Sequence, residues 1–370
     1  MRPRRLAYIV DWLPPDAGAI GQYALAEAES RARQGELVDL FGLSSTASSL
    51  EGREFGAGKV RVHRLRAAQP DRSDFKKRAV WTLSTNLRLV THALPSIFEA
   101  DEVLITASPP FLEHLLVPLT RALRKRLVFR LADLHPECLM QELAQVPAWL
   151  HAFHALTVRM RKGADLVEVL GEDQRRRVLE SGADARRVVL RRSGSPVSFD
   201  GGVRPLERPL ALRGRSVLLY SGAVGHAHEI DTFVEGYAEH HAGESLEKVI
   251  LWLNATGARA SEFEAALDAR GLPYHRTEGV ALSDLAALLR TADAHLITLR
   301  DEYVGLVVPS KVYACIASGR PVLYVGSASS DVHTLCSEGL PEQDYWRAGV
   351  GDSSAVRRAL DAIALLASPG

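Results

Sequence analysis

The sequence predicts an α/β protein made of two doubly wound, Rossmann-like units. Three observations predict it. Short apolar runs alternate with helix-compatible stretches, the alternation breaks once near the middle and restarts, and the charge changes sign across the break. At 370 residues the chain has the length of two domains of roughly 150 residues each. Apolar residues make up 46% and charged residues 24%, the balance of a globular enzyme and not of a disordered or fibrous chain. Net charge is zero, yet residues 1–200 carry 30 Lys+Arg against 24 Asp+Glu and residues 201–370 carry 15 against 21. The halves are therefore +6 and −6, and the first is expected to meet something anionic. A duplex nucleic-acid binder would be basic overall, so no nucleic-acid partner is expected.

The first half opens on a buried-strand pattern, Leu6-Ala7-Tyr8-Ile9-Val10. A polar, glycine-bearing loop follows to Gly21, then a helical stretch over 22–34 and a second strand over 37–41. Strand, helix, strand is one βαβ unit, whose parallel strands need a crossover. Further strands are expected at 60–65, 102–106, 127–131, 166–170 and 188–191. The pattern then breaks at Ser193-Gly194-Ser195-Pro196, Gly201-Gly202, Pro205 and Pro209, which reads as a linker. Domains are therefore placed at 1–195 and 216–370, with 196–215 between them. A second series of strands begins there, at 216–220, 248–253, 274–277, 294–298 and 321–325. The last helix, over 353–366, could pack on either domain. Two such domains across a cleft is the natural architecture, because ligands bind at the carboxyl ends of parallel strands.

Mean hydropathy is −0.04 and no apolar run approaches the ~18 residues of a transmembrane helix. The basic N-terminus Met1-Arg2-Pro3-Arg4-Arg5 precedes an apolar run too short for a signal-peptide core, so a cytoplasmic protein is expected. Cys138, Cys315 and Cys336 show no CxxC spacing, which argues against a disulfide framework and a structural zinc site.

Four segments carry chemistry. Pro309-Ser310-Lys311 precedes a short helix over 312–317, with Gly319 after it and a strand from Pro321. A serine is a good N-cap, and free helix N–H groups plus an ammonium make a phosphate receptor. The strand ending at Tyr220 runs into Ser221-Gly222-Ala223-Val224-Gly225-His226-Ala227-His228, where small residues let the backbone approach a phosphate. His226 and His228 alone are a weak metal signal. Pro14-Pro15-Asp16-Ala17-Gly18-Ala19-Ile20-Gly21 links the first strand to the first helix, and its only glycines, Gly18 and Gly21, make no dinucleotide fingerprint. Arg130-Leu131-Ala132-Asp133-Leu134-His135-Pro136-Glu137 puts Asp133, His135 and Glu137 within five residues at a strand's carboxyl end, a density that suits an active site.

Together these segments resemble the retaining glycosyltransferases of family 4, of GT-B fold, in particular the bacterial surface-polysaccharide subgroup with fucosamine-type transferases. The resemblance spans nearly the whole chain. It is strongest from Thr106-Ala107-Ser108-Pro109-Pro110 through Asp133-Leu134-His135-Pro136-Glu137, and from Val308-Pro309-Ser310-Lys311-Val312-Tyr313 through Gly319-Arg320-Pro321-Val322. It implies that Ser310 and Lys311 bind the donor diphosphate. Ser221, Gly222, Gly225 and His226 would touch the same group, and Gly18 and Gly21 would lie near the transferred sugar. Asp133 or Glu137 would orient hydroxyls, with His135 against the acceptor. Where the family carries glutamates that hold the nucleotide ribose, this chain has Ala314 and Leu306, and Glu302 just upstream is the available substitute.

No Asp-x-Asp metal–diphosphate clamp is present in the sequence. Lys311 and a helix N-terminus can stabilise leaving-group charge without Mg²⁺, so no metal or separate cofactor is expected. The implied reaction is retaining transfer from a nucleoside-diphosphate sugar, UDP-linked, with the departing phosphate taking the acceptor proton. Residues 72–98 mix Arg72, Lys76, Lys77, Arg78 and Arg88 with Phe75, Val80, Trp81, Leu83, Leu87, Val90 and Ile97. Such a stretch can lie on an anionic membrane surface, and Arg121, Arg124, Lys125, Arg126 and Arg130 add charge nearby. A polyprenyl-diphosphate-linked acceptor suits both features. A soluble natural-product acceptor, a sugar-nucleotide epimerase and a catalytically impaired GT-B partner protein stay open beside it.

Overall fold

The structure is a computed structural model, and it describes residues 2–16, 19–69, 75–243, 247–257 and 259–366, the side chains of Ala19, Phe75 and Lys76 apart. The chain divides into two compact units, Met1–Arg192 and Ser193–Gly370.

In the first unit, strands β1 (Arg5–Trp12), β2 (Leu37–Ser44), β3 (Ser49–Phe55), β4 (Gly58–Arg66), β5 (Glu102–Thr106), β6 (Arg126–Leu131), β7 (Leu166–Val169) and β8 (Val188–Leu190) form one sheet. Its order is β3-β4-β2-β1-β5-β6-β7-β8, parallel throughout except for the antiparallel β3–β4 pair. Helices α1 (Ala19–Arg33), α2 (Phe75–Glu99), α3 (Glu113–Ala122), α4 (Glu137–Glu142), α5 (Ala148–Arg161) and α6 (Glu172–Glu180) alternate with the strands. Ala24, Ala28 and Ala32 of α1 lie on the core formed by Tyr8, Val10, Leu40, Val60 and Leu104. Their spacing of four puts small side chains on one helix face, and the helix closes on the sheet.

In the second unit, β9 (Ser216–Ala223), β10 (Val249–Thr256), β11 (Tyr274–Thr277), β12 (Ala294–Thr298), β13 (Val322–Val325) and β14 (Tyr345–Ala348) lie in the order β11-β10-β9-β12-β13-β14, every pair parallel. The helices are α7 (Asp231–Ala242), α8 (Ala260–Asp268), α9 (Leu282–Thr291), α10 (Lys311–Ala317), α11 (Asp331–Gly339) and α12 (Ser353–Leu366). Leu218, Tyr220, Leu251 and Leu253 pack with Phe233 and Tyr237 of α7 and Val356, Leu360 and Ile363 of α12.

The structure places the last helix, which the sequence leaves open, and it changes the reading of the linker and of two strands. The last helix belongs to the second unit, because its apolar face is part of that core and His240 Nδ1 meets Asp361 Oδ1 at 2.6 Å. Much of the expected linker is part of the second unit too: Leu206 N donates to Thr291 Oγ1 at 2.8 Å, and Arg208 reaches Asp293 Oδ1 at 2.6 Å. Strands β3 and β14 were not expected. The first is an exposed, charged edge strand, and the second is four residues long.

Candidate functional site

In each unit the strand order reverses beside the first strand, between β1 and β5 and between β9 and β12. Such reversals open a crevice at the carboxyl ends of the strands.

In the second unit β9 ends in Ser221-Gly222-Ala223. Gly222 has φ +122°, a conformation side chains disfavour. A Cβ there would make only an ordinary contact, 3.8 Å from Lys311 Nζ, so it is the backbone angle that calls for glycine beside the lysine. Lys311 begins α10, and its Nζ lies 3.5 Å from the centroid of the Tyr220 ring, a cation–π contact. The lysine stem is partly exposed, whereas Nζ is buried and makes no hydrogen bond among the described residues. Burial pushes its pKa down to about 7, since a charge out of water is costly unless paired.

His228 turns in toward the same place. Its Nδ1 lies 3.0 Å from Thr298 O at the end of β12, and its ring meets Tyr220 edge-on at 5.9 Å. Burial first, then the nearby Lys311, pushes its pKa down to about 3, so it is a neutral wall. Arg300 donates its backbone N–H to Ala227 O at 2.8 Å, while its Nε lies 3.8 Å from Glu229 Oε2 and makes no hydrogen bond among the described residues. Lys311, Gly222, His228 and Arg300 are thus gathered around one reversal point.

Other donor-site expectations fare differently. Ser310 adopts helical angles and its side chain caps nothing; it is exposed. His226 and Glu302 are also exposed, so His228, not His226, is the histidine beside the lysine. Ser221 Oγ reaches Asn254 Oδ1 at 3.4 Å. Around Gly225 a Cβ would meet nothing within 4 Å. Leu306 and Ala314 are buried, in keeping with their apolar character.

In the first unit the reversal point is acidic. The β1–β2 register shifts between Ile9 and Trp12, and Asp11 lies in that irregularity, a place where strands re-aim side chains. Its Oδ2 accepts a hydrogen bond from Ser108 Oγ, just after β5, at 2.6 Å. Its Oδ1 is buried and makes no hydrogen bond among the described residues. Burial holds the Asp11 carboxyl above its usual range, and neighbouring Asp133 adds to this. Asp133, after β6, is likewise raised by burial, with His135 opposing. Asp11, Ser108, Asp133 and His135 therefore come together. The peptide bonds Pro14-Pro15, Ser108-Pro109 and His135-Pro136, in the loops after β1, β5 and β6, are cis.

Glu137 leaves this group. Arg161 of α5 grips both its carboxylate oxygens, with Nη2–Oε2 at 2.8 Å, and His154 Nε2 lies 3.2 Å away. Burial opposes ionisation, yet the Arg161 bonds win and hold its pKa below the usual range. It ties α4 to α5. Gly21 packs closely on β1, since a Cβ there would fall 1.9 Å from Trp12 O. Gly18 lies outside the described residues. The sequence reading missed Asp11, His228 and Arg300; all three lie within a few residues of a strand's carboxyl end, which is the one signal that marks them.

Most of the basic run after α3 is spent inside the unit. Arg130 is buried against Glu27 and Glu168, Lys125 donates to Phe98 O and Ala100 O, and Arg126 lies 3.5 Å from Glu102. Among the described residues no group of three or more His, Cys, Asp or Glu could hold a metal ion, and no helix is long and apolar enough to cross a membrane.

No family model matches the chain. A curated relative, WcaI of Escherichia coli K12, assigned as a glycosyl transferase of colanic acid biosynthesis, is 23% identical over 178 residues, covering 46% of this chain and 43% of its own. The chain thus spans less than half the length of that relative. Among solved structures, an E. coli trehalose-6-phosphate protein bound with UDP-2-fluoro glucose is similar at TM-score 0.66 and 13% identity, over 96% of this chain and 90% of the other. Anabaena HepE in complex with UDP and glucose is similar at 0.63 and 13%, over 98% and 92%. Sucrose-phosphate synthase from Thermosynechococcus elongatus is similar at 0.65 and 14%, over 98% and 94%. The fold is GT-B.

Proposed function

We propose that the chain is a glycosyltransferase that moves a sugar from a UDP-linked donor to a hydroxyl of a polyprenyl-diphosphate-linked acceptor, with retention and without a metal ion. The observation that carries this reading is Lys311: a buried ammonium with no hydrogen bond among the described residues, over Tyr220 and beside Gly222, at a strand-order reversal. An ammonium so placed is under-satisfied until an anion arrives. The assigned role of WcaI and the UDP named for the solved relatives agree with a nucleotide-sugar donor.

On this reading the second unit holds the diphosphate through Lys311, with Arg300 near it and the Gly222 backbone allowing close approach. The first unit holds the acceptor, with Asp11 and Asp133 accepting hydrogen bonds from sugar hydroxyls. The C1–O bond to the phosphate breaks as the acceptor oxygen bonds C1 on the same face, and the acceptor proton passes to the departing phosphate oxygen. Lys311 stabilises the charge that grows on that phosphate, so neither a protein base nor a metal is required. The ribose is held otherwise than in the family, since Leu306 and Ala314 offer no acceptor side chain. The exposed apolar residues of α2 beside Lys77 and Arg88 suit a peripheral position on the cytoplasmic face of a membrane.

The test is UDP release from a panel of UDP-sugars with lipid-linked acceptors, with and without EDTA, and the anomeric configuration of the product by NMR. A retained glycoside formed in EDTA supports the reading. An isomerised donor would replace it with epimerisation, a glycosylated soluble acceptor would correct the acceptor, and UDP binding with no turnover would make the chain a silent partner.

A further inference from the structure

The first unit holds a cavity of about 590 Å³ whose edge meets the acidic group at His135. It lies among α2, α3, α4 and α5, with Leu83, Phe111, Leu115, Leu139, Trp149 and Phe153 in its walls. Its size is that of a small-molecule site, which is typically ~300–1,000 Å³. The aromatic wall is built. Phe111 and Phe153 meet edge to face at 4.9 Å, and His114 stacks on Phe153 at 5.1 Å. The His114 nitrogens are spent on the protein, on Phe111 O at 3.3 Å and Thr157 Oγ1 at 3.2 Å. Burial lowers the pKa of His114, so the ring is a neutral, apolar face. Phe111 holds φ +68°, a conformation a bulky residue adopts only when its surroundings impose it, as they do at ligand sites.

Two further features identify the occupant. The cavity reaches His135 and Pro136, which adjoin Asp133, so a ligand in it would present its other end to the acidic group. Around it the surface is apolar where water should forbid it. Val80, Leu83 and Leu87 of α2 are 68%, 66% and 54% exposed, and Trp149 and Leu156 of α5 are 56% and 44% exposed. Each stripe follows helical spacing, and the same helices expose Lys77, Arg88 and Arg159. Apolar stripes with basic residues alongside are the pattern of helices that lie on anionic lipid.

We infer that this cavity binds the isoprenoid chain of the acceptor next to its diphosphate, drawn from a membrane on which α2 and α5 rest, and that it sets the enzyme's preference for chain length. The inference rests on the reading of the chain as a transferase to a lipid-linked acceptor. Phe111, Leu115 and Phe153 grip the chain, while the exposed stripes hold the cavity mouth at the bilayer. Each methylene buried is worth about fourfold in affinity, so affinity rises with chain length until the cavity is full.

The experiment measures binding of geranyl, farnesyl and geranylgeranyl diphosphate by quenching of Trp149, with inorganic diphosphate as the chainless control and Trp149→Phe to assign the signal. Dissociation constants are expected to fall at least tenfold from the geranyl to the farnesyl compound and then level, with no quenching by diphosphate alone. Leu115→Trp fills the cavity and should weaken farnesyl diphosphate at least tenfold; an unchanged circular dichroism spectrum and an unchanged urea unfolding midpoint of the first unit show that the variant folds. Leu83→Glu with Leu87→Glu, on the exposed stripe, should abolish flotation with phosphatidylglycerol vesicles. Equal affinity for all three chains, or chain binding untouched by Leu115→Trp, overturns the inference. If UDP does not bind the wild type, the transferase reading fails separately, because the quenching assay does not involve the donor.

Discussion

The two units have related topologies and opposite chemistry at the same place. In each, the first strand lies where the strand order reverses. At the first unit's reversal point Asp11 reaches across to Ser108 with Asp133 nearby, and at the second His228 reaches across to Thr298 with Lys311 beside it. One point gathers carboxyls held above their usual pKa by burial; the other gathers a lysine held below its own. Topology decides where a ligand can enter, and the few side chains placed there decide what charge it carries.

The two reversal points differ most at the lysine. Lys311→Met should lower sugar transfer about 10²–10³-fold, the effect of losing one charged stabiliser of a leaving group, read as kcat/KM for UDP release. The same variant should melt higher than the wild type without ligand at pH 6, where the buried ammonium is charged and costly. Asp133→Asn is expected to cost ~1.5–3 kcal/mol of transition-state stabilisation, measured as an acceptor-dependent loss of rate with UDP affinity unchanged. Glu137→Gln should behave in the opposite manner, losing ~1–3 kcal/mol of folding stability in urea titration with transfer nearly intact. Its lowered pKa means that this stability is full above the ordinary carboxylate range and fades as pH falls through the lowered value. Gly222→Ala should cost about 1–2 kcal/mol through its left-handed φ. His226→Asn and Glu302→Gln, both exposed, should change UDP affinity by less than about 0.5 kcal/mol.

Much of this fold was legible because buried parallel strands read as uninterrupted apolar runs, as in Leu6-Ala7-Tyr8-Ile9-Val10. Strand β3 was not, since Ser49–Phe55 is an exposed edge whose alternation no core enforces. Lys311 was legible from its place between a proline and a short helix. Its partners were not: Tyr220 looks like an ordinary strand residue, and only the packed sheet sets its ring under the ammonium. Asp11 reads in the sequence as the residue that ends an apolar run; the register shift and burial that bring it beside Ser108 and Asp133 are tertiary. Ser310 shows the reverse error, a good capping residue that caps nothing once the chain enters the helix in αR geometry. Glu137 shows what sequence proximity hides, since its partner Arg161 lies 24 residues away and only the packed helices bring the two together.

Proton-linked UDP binding reads the ammonium of Lys311 itself. Free Lys311 has a pKa near 7 because it is buried, and a diphosphate beside it favours the ammonium, so UDP binding above pH 7 must take up a proton. Calorimetry between pH 7 and 9, in buffers of different ionisation heat, should show UDP affinity falling by up to about tenfold per pH unit. Uridine should show no such slope, and Lys311→Met should lose it. A UDP affinity independent of pH, or equal in the wild type and Lys311→Met, would mean that no diphosphate binds beside Lys311.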